Sequence, residues 1–232
     1  MSDIVSLKAH FKKCVPNIVS VTLEHNNGGT LVKKICLKDF FQIFNSAISE
    51  ETIKTDFSAL RWNGIPDGLV DIAYQDNKNF MILLQVPAEI FIVEYCGNKY
   101  SIPFPSLLFS IKVINGKATE TNVFAVKDVK ASKNTVLYHF PFGNVYDNGK
   151  ICWGGNSLPA INSPLESTII PRLFYSAPTN SDLWNAEKRL DVSIVKCEPV
   201  LSKIYEALHN KKTFPLDALM VSSMTIDKLY NI

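Results

Sequence analysis

Residues 138–164 read YHFPFGNVYDNGKICWGGNSLPAINSP, an irregular run rich in Gly, Asn and Pro that predicts a long loop. Loops of this length inside a compact domain are either functional or disordered. Aromatic and apolar side chains, which disordered segments carry sparsely, recur along the run: Phe140, Phe142, Val145, Tyr146, Ile151 and Trp153. We therefore expect an ordered, packed loop with a function.

A strand-rich region precedes the loop. Five stretches have the length and the residue types of strands: residues 69–74, 80–86, 89–95, 107–114 and 119–126. Asn115-Gly116, between the last two, is the strongest hairpin signal in the chain, because both residue types tolerate a positive φ. Strands joined by such short links predict an antiparallel meander and not a parallel sheet with crossover helices.

Further elements are predicted on both sides of this region. Residues 18–23 and 31–35 read as a hairpin across Asn26-Asn27-Gly28-Gly29, and apolar residues at helical spacing predict a helix at about 37–49. After the loop, a helix is expected at about 167–176, where Pro171 is tolerable only in the first turn. A last helix is expected to begin at Glu198-Pro199, with an apolar stripe of Val200, Leu201, Ile204, Tyr205 and Leu208.

The predicted elements give an α+β fold class. No composition shift marks a domain boundary. We expect residues 1–68 to form a β-hairpin and helix packed on a core of residues 69–232, as one globular unit.

The composition limits the classes of function. Hydrophobic residues make up 47% of the 232 residues, which is typical of a globular core, and the net charge of +2 gives no argument for a nucleic-acid or membrane partner. The sequence has neither the pattern of a signal peptide nor an apolar stretch long enough to span a bilayer. Five cysteines without a Cys-x-x-Cys pair suit a reducing cytoplasm better than a disulfide framework or a zinc site.

Cys152 is the candidate for covalent chemistry. A free cysteine is commonly a buried small hydrophobe, and that is the structural alternative. An acyl carrier instead needs a thiolate at the surface, where a protein-sized acyl group can reach it. A loop held by aromatic side chains fits the second interpretation.

The spacing around Cys152 carries a family resemblance. Cys152 follows Asn144 at the eighth position, across Val145-Tyr146 and Asn148-Gly149-Lys150-Ile151. This pattern resembles the ubiquitin-conjugating enzymes, in which a His-Pro-Asn tripeptide precedes the catalytic Cys at the same spacing. The string Phe140-Pro141-Phe142-Gly143-Asn144-Val145-Tyr146, followed by Ile151-Cys152-Trp153-Gly154, is similar to a bacterial branch of that superfamily, the PRTRC system B proteins.

The resemblance implies a ubiquitin-conjugating core over roughly residues 70–185, with an antiparallel meander, a long active-site loop and following helices. It also implies that Cys152 accepts a ubiquitin-like protein as a thioester from a ThiF-like activating enzyme. A JAB-type metalloprotease is a further implied partner. The implied chemistry needs no metal or organic cofactor in this chain.

Two further residues are candidates for roles in acyl transfer. Aminolysis of a thioester passes through an oxyanion, which one side-chain amide typically stabilises by about 2.7–4 kcal/mol, and Asn144 is the natural donor. Asp182 ends the segment 177–182, which resembles a loop near the family's active site, and it is a candidate to orient or deprotonate the incoming amine. The structural alternatives are a turn residue for Asn144 and a helix cap or solvated acid for Asp182.

The sequence departs from the family at two places. Phe142 and Gly143 stand where the family has His and Pro, so another group must hold the loop. Trp153 and Gly154 replace the more usual Leu and acidic residue. His139 raises the alternative of a Cys-His pair, although its neighbours suggest a strand end.

Other classes of function remain as alternatives. The chain could be an inactive module that binds a ubiquitin-like protein, or a structural component of a plasmid-associated complex. Retention of Cys152 argues against a pure binding module. A papain-like protease, which also has a Cys-Trp dipeptide, is disfavoured because no Gly-Ser precedes Cys152 and His209 follows too closely.

Overall fold

The computed structural model describes residues 4–11, 18–25, 30–36 and 65–230. The chain divides into two compact units, Met1–Arg61 and Trp62–Ile232. The helix predicted at 37–49 and the turn predicted at 26–29 lie outside the described residues.

The first unit contains a three-stranded antiparallel sheet. Its strands are β1 (Ile4–Phe11), β2 (Ile18–His25) and β3 (Thr30–Cys36), in that spatial order. The predicted pairing of 18–23 with 31–35 is confirmed, with Val21 opposite Lys33. Strand β1 was not predicted, and it pairs with the other side of β2.

Six strands form the sheets of the second unit: β4 (Leu69–Asp76), β5 (Asn79–Val86), β6 (Glu89–Tyr95), β7 (Asn98–Phe104), β8 (Ser106–Ile114) and β9 (Lys117–Val126). Four of the five predicted strands make an antiparallel sheet in the order β4-β5-β8-β9. The fifth, β6, pairs instead with β7 in a separate hairpin inserted between β5 and β8. Strand β7 was missed because Pro103 weakens its strand signal.

The turn between β8 and β9 confirms the strongest local prediction. Asn115 and Gly116 have φ angles of 52° and 72°, and they connect the paired residues Ile114 and Lys117. Both central residues of a tight hairpin turn need such positive φ angles.

The central strands of the four-stranded sheet, β5 and β8, are buried on both faces. On β8, Phe109 belongs to a larger core cluster and Leu108 to a smaller one, because successive side chains of a strand point to opposite faces. The larger cluster includes five buried residues of the predicted loop: Phe140, Phe142, Val145, Ile151 and Ile161. The expectation of an ordered, packed loop is confirmed.

Short helices follow the loop: a 3-10 helix (Pro164–Thr168), α1 (Ile169–Ser176), α2 (Ala186–Arg189), α3 (Val192–Val195), α4 (Leu201–Leu208), a second 3-10 helix (Leu216–Ala218) and α5 (Ile226–Leu229). Pro171 lies in the first turn of α1, as predicted. The prediction that the last long helix begins at Glu198-Pro199 is wrong, because Val200 has extended backbone angles and α4 begins after it. Val200 is exposed, whereas the other four residues of the predicted stripe are buried.

None of the helices in the described part of the chain is both long and apolar enough to cross a membrane.

Candidate functional site

Residues 144–152 form a small β-hairpin. The N–H of Cys152 donates to the carbonyl oxygen of Asn144 at 2.8 Å, and the N–H of Tyr146 donates to that of Lys150 at 2.8 Å. The backbone of Asn144 therefore lies directly opposite that of Cys152. The eight-position spacing in the sequence is the spacing of a cross-strand pair.

The hairpin has one buried face and one outward face. Val145 and Ile151 form its central pair, and their side chains are only 1% and 3% exposed. Because side chains alternate along a strand, Tyr146, Lys150 and Cys152 face the opposite way. Asn144 has a φ of 65°, which is not that of a strand, and it lines a separate cavity with Pro178 and Thr179. Cys152 is half-buried and lines an open surface depression together with residues of the turn and Leu183.

A tyrosine hydroxyl lies beside the sulfur. The hydroxyl of Tyr146 donates to Sγ of Cys152 at 3.9 Å. This hydrogen bond to Cys152 and the negative charge of its thiolate raise the pKa of the Tyr146 hydroxyl. The sequence identified Tyr146 only as an aromatic residue of the loop, and its place beside the sulfur follows from the pairing within the hairpin.

The Asn144 side chain joins the hairpin to a second loop. Its Nδ2 donates to the carbonyl oxygen of Pro178 at 2.7 Å, and its Oδ1 accepts the N–H of Asn180 at 3.2 Å. Asn144 has a φ of 65°, a conformation that asparagine tolerates better than most residues. The Asn144 side-chain amide therefore bonds the backbone of residues 178–180 and not the backbone of its own turn. Its role as a donor to an oxyanion stays a prediction.

Asp182 lies on that second loop. Its carboxylate accepts a hydrogen bond from Nδ2 of Asn180 at 3.0 Å, and its N–H donates to Oδ1 of Asn180 at 3.2 Å. The side chain is exposed, and the next residue, Leu183, lines the depression that contains Cys152. The loop is thus beside the hairpin, as the resemblance implied, while the role of Asp182 as a base stays a prediction.

Gly143 allows the two loops to meet. A Cβ added at this position would lie 2.0 Å from the carbonyl oxygen of Asn180 and 3.1 Å from Oγ1 of Thr179. Only a residue without a side chain fits this close approach. Gly143 in place of the family's Pro is therefore explained by the contact with residues 179–180.

Phe142, which stands where the family has His, is a core residue. Its ring is 1% exposed and packs 4.8 Å from the ring of Phe104 and 5.4 Å from that of Tyr205, measured between centroids. Phe140 and Phe214 complete the surrounding aromatic cluster. Aromatic packing thus replaces polar bonding at this position.

Arg189 supplies the polar bonds that hold the loop. Its side chain is 1% exposed. It donates to the carbonyl oxygens of Phe142 at 3.2 Å and of Phe140 at 3.4 Å, and also to that of Val145. Sequence reasoning missed this residue, because Lys188-Arg189 at the end of a short helix reads as a solvated surface pair.

The carboxylate of Asp147 also bonds the Arg189 side chain. Asp147 accepts from Arg189 at 3.3 Å and pairs with Lys188 at 2.5 Å. The hydrogen bond from Lys188, and then the charges of both basic residues, lower the pKa of Asp147. Burial lowers the pKa of Arg189, and the charge of Asp147 opposes that shift.

His139 lies near this network. Burial, and then the charge of Arg189, lower the pKa of its half-buried imidazole. Within residues 65–230 no hydrogen bond joins His139 to Cys152. In the same part of the chain no group of three His, Cys, Asp or Glu side chains is placed to hold a metal ion.

One comparison with known proteins gives a match. The model of prokaryotic E2 family D, where E2 denotes ubiquitin-conjugating proteins, matches residues 46–222. These residues include the four-stranded sheet, the Cys152 hairpin and the loop that carries Asp182. No curated protein and no solved structure matches the chain.

Proposed function

This chain belongs to prokaryotic E2 family D, and on that premise we propose that Cys152 carries a ubiquitin-like protein as a thioester. The thiolate of Cys152 attacks the thioester carbonyl on a ThiF-like activating enzyme. A new carbon–sulfur bond forms, the old one breaks, and the activating enzyme's cysteine leaves as its thiolate. No free energy source beyond the incoming thioester is needed, because one thioester is exchanged for another.

One observation carries the proposal. Cys152 lies on the outward face of a hairpin whose other face is buried, directly opposite Asn144 and beside the hydroxyl of Tyr146. A carrier cysteine has to be reached from the surface, and Cys152 lines an open depression. This arrangement supports a reactive thiol and not a packing cysteine.

The second step passes the acyl group to an amine. The amine attacks the carbonyl carbon, the carbon–nitrogen bond forms, and the Cys152 sulfur leaves as a thiolate while the amine loses a proton. In this step Asp182 takes or orients that proton. The bond to Pro178 uses one of the two hydrogens on Nδ2 of Asn144, and the second is donated to the oxyanion.

The surrounding residues have a positioning role. Arg189 holds the carbonyl groups of the loop, and the Asn144 amide ties the loop to residues 178–180. Such preorganisation matters because reacting groups must be held within a fraction of an ångström of the productive geometry. The partners proposed from the PRTRC resemblance are a ubiquitin-like protein, a ThiF-like activating protein and a JAB-type metalloprotease that removes the conjugated protein.

Incubation with the activating protein, the ubiquitin-like protein and ATP tests the proposal. On a non-reducing gel the wild-type chain is expected to gain an adduct that reductant removes. Cys152→Ala should abolish this adduct, and Cys152→Ser should give an oxyester that resists reductant. Cys96→Ala, which removes a different exposed thiol, should leave the adduct unchanged.

Two results would contradict the carrier role. One is an adduct that persists in Cys152→Ala. The other is the absence of any adduct when the partner proteins are shown to be active. If the ubiquitin-like protein still binds the chain in that case, the result favours the inactive binding module.

A further inference from the structure

The hairpin places an amine beside the carrier sulfur. Lys150 and Cys152 flank Ile151, which is buried, so their side chains leave the strand on the same outward face. Both residues line the same surface depression. At about 3.3 Å per residue, their Cα atoms lie about 6.6 Å apart, which the long flexible stem of a lysine spans.

The Lys150 ammonium is not tied to a neighbour. Within residues 65–230 no ion pair or hydrogen bond involves its Nζ, and only its main-chain groups are bonded. Lys188, which also lies near this site, is different, because its Nζ is held by Asp147 at 2.5 Å. Of these two amines, Lys150 is the one whose side chain can turn toward the Cys152 sulfur.

We infer that Lys150 is an internal acceptor for the acyl group carried on Cys152, an inference that rests on the proposed carrier function. The neutral Nζ of Lys150 attacks the thioester carbonyl carbon. The carbon–nitrogen bond forms, the carbon–sulfur bond breaks, the nitrogen releases its proton to water, and Cys152 returns as a thiolate. The product is an isopeptide between Lys150 and the C-terminal carboxyl of the ubiquitin-like protein.

This reaction would limit the activity of the carrier. An amine held next to the thioester reacts at a high effective concentration, so it competes with external acceptors whenever these are scarce. The product leaves a protein-sized group attached two residues from Cys152, where it blocks the next transfer. Cleavage of that isopeptide by an isopeptidase would restore the carrier.

A peptide with a C-terminal thioester tests the inference on the full-length chain without any partner protein. Exchange with the peptide thioester should first load Cys152, seen by intact mass as an adduct that reductant removes. The adduct should then become resistant to reductant, and tandem mass spectrometry should locate it on Lys150.

Three variants give the controls. Lys150→Arg should load Cys152 normally but lower the reductant-resistant adduct by at least about tenfold. Lys133→Arg, which removes an exposed lysine outside the depression, should leave the resistant adduct at the wild-type level. Cys152→Ala should reduce acylation of Lys150 to the background seen at other lysines.

The inference is overturned if Lys150→Arg retains the resistant adduct, if the adduct lies on another lysine, or if Cys152 does not exchange with the peptide. Failure of the carrier function is recognised separately, in the assay with the activating protein and ATP. If wild type and Lys150→Arg both form the reductant-sensitive adduct there and neither forms an isopeptide, the carrier role stands and the internal acceptor is rejected.

Discussion

Cys152 reaches the surface because of its neighbours. A free cysteine is among the most buried residue types, but here Ile151 is buried and Trp153 packs against the core, donating from its indole to Oγ1 of Thr121 at 2.8 Å. Alternation along the strand then turns the sulfur outward. The backbone of Asn144 lies opposite that of Cys152 across the hairpin.

The proposed roles of Asn144 and Asp182 can each be tested by single-turnover discharge of loaded Cys152 to an added amine. Asn144→Ala is expected to slow discharge by about 100-fold, because one oxyanion donor is lost. Asp182→Asn should slow it by about 100-fold as well, if the carboxylate takes the proton.

Loading of Cys152 provides the control for both variants. It should continue in each, since neither removes the thiol. Discharge of Asp182→Asn at the wild-type rate would instead identify Asp182 as a solvated loop acid.

Gly143 is expected to be intolerant of any side chain. In Gly143→Ala the added Cβ would meet the carbonyl oxygen of Asn180 at 2.0 Å, so residues 143–144 and 179–180 must separate. Overpacking of this kind costs about 1–3 kcal/mol of unfolding free energy, and the Asn144 bonds to the second loop are lost with it. Urea denaturation measures the first effect and amine discharge the second.

Gly155→Ala is the matched control for that substitution. No atom lies within 4 Å of the position that its Cβ would take, so its unfolding free energy and discharge rate should stay near those of wild type. Equal effects of the two substitutions would show that the contact at Asn180 is not what makes Gly143 necessary.

At the scale of elements, a helix of one turn holds the loop that contains Cys152. Helix α2 (Ala186–Arg189) is too short to be stable by itself, and Arg189 at its end donates to three carbonyl groups of the loop. These bonds take the place of the family's His as a polar support. The loop is therefore held by hydrogen bonds from Arg189 in addition to those within its own hairpin.

Arg189→Met tests that support. Three carbonyl groups would lose their buried donor, which costs about 2–4 kcal/mol in unfolding free energy, measured by urea denaturation. Lys188→Met is the control, because it removes an exposed partner of the same Asp147 and such pairs contribute about 1 kcal/mol at most. A cost for Lys188→Met as large as that for Arg189→Met would contradict the proposed support.

At the scale of the whole molecule, the proposed carrier site belongs to the second unit. Both large core clusters consist of residues between Leu69 and Tyr230, inside the unit Trp62–Ile232. The proposal that residues 1–68 pack on this core stays a prediction. A unit with its own buried core is expected to fold alone.

A fragment of residues 62–232 tests both statements. It is expected to unfold cooperatively in urea and to exchange Cys152 with a peptide thioester at nearly the rate of the full chain. A lower unfolding free energy than that of the full chain would measure the predicted packing of the first unit. A fragment that does not unfold cooperatively would contradict the expectation that the second unit folds alone.

The sequence by itself determined the features that depend on short windows of chain. The Asn115-Gly116 turn, four strands of the main sheet and the ordered loop all follow from turn chemistry, alternation and composition. The hairpin of β6 and β7 is also local, and it was missed because Pro103 weakens the strand signal of β7. Only the tertiary structure decided that Asn144 lies opposite Cys152, that Arg189 holds the loop and that Asn144 bonds residues 178 and 180. The physical reason is distance along the chain, because the bonds of Asn144 and Arg189 join residues between 34 and 49 positions apart, and no local pattern specifies which of two distant segments will meet.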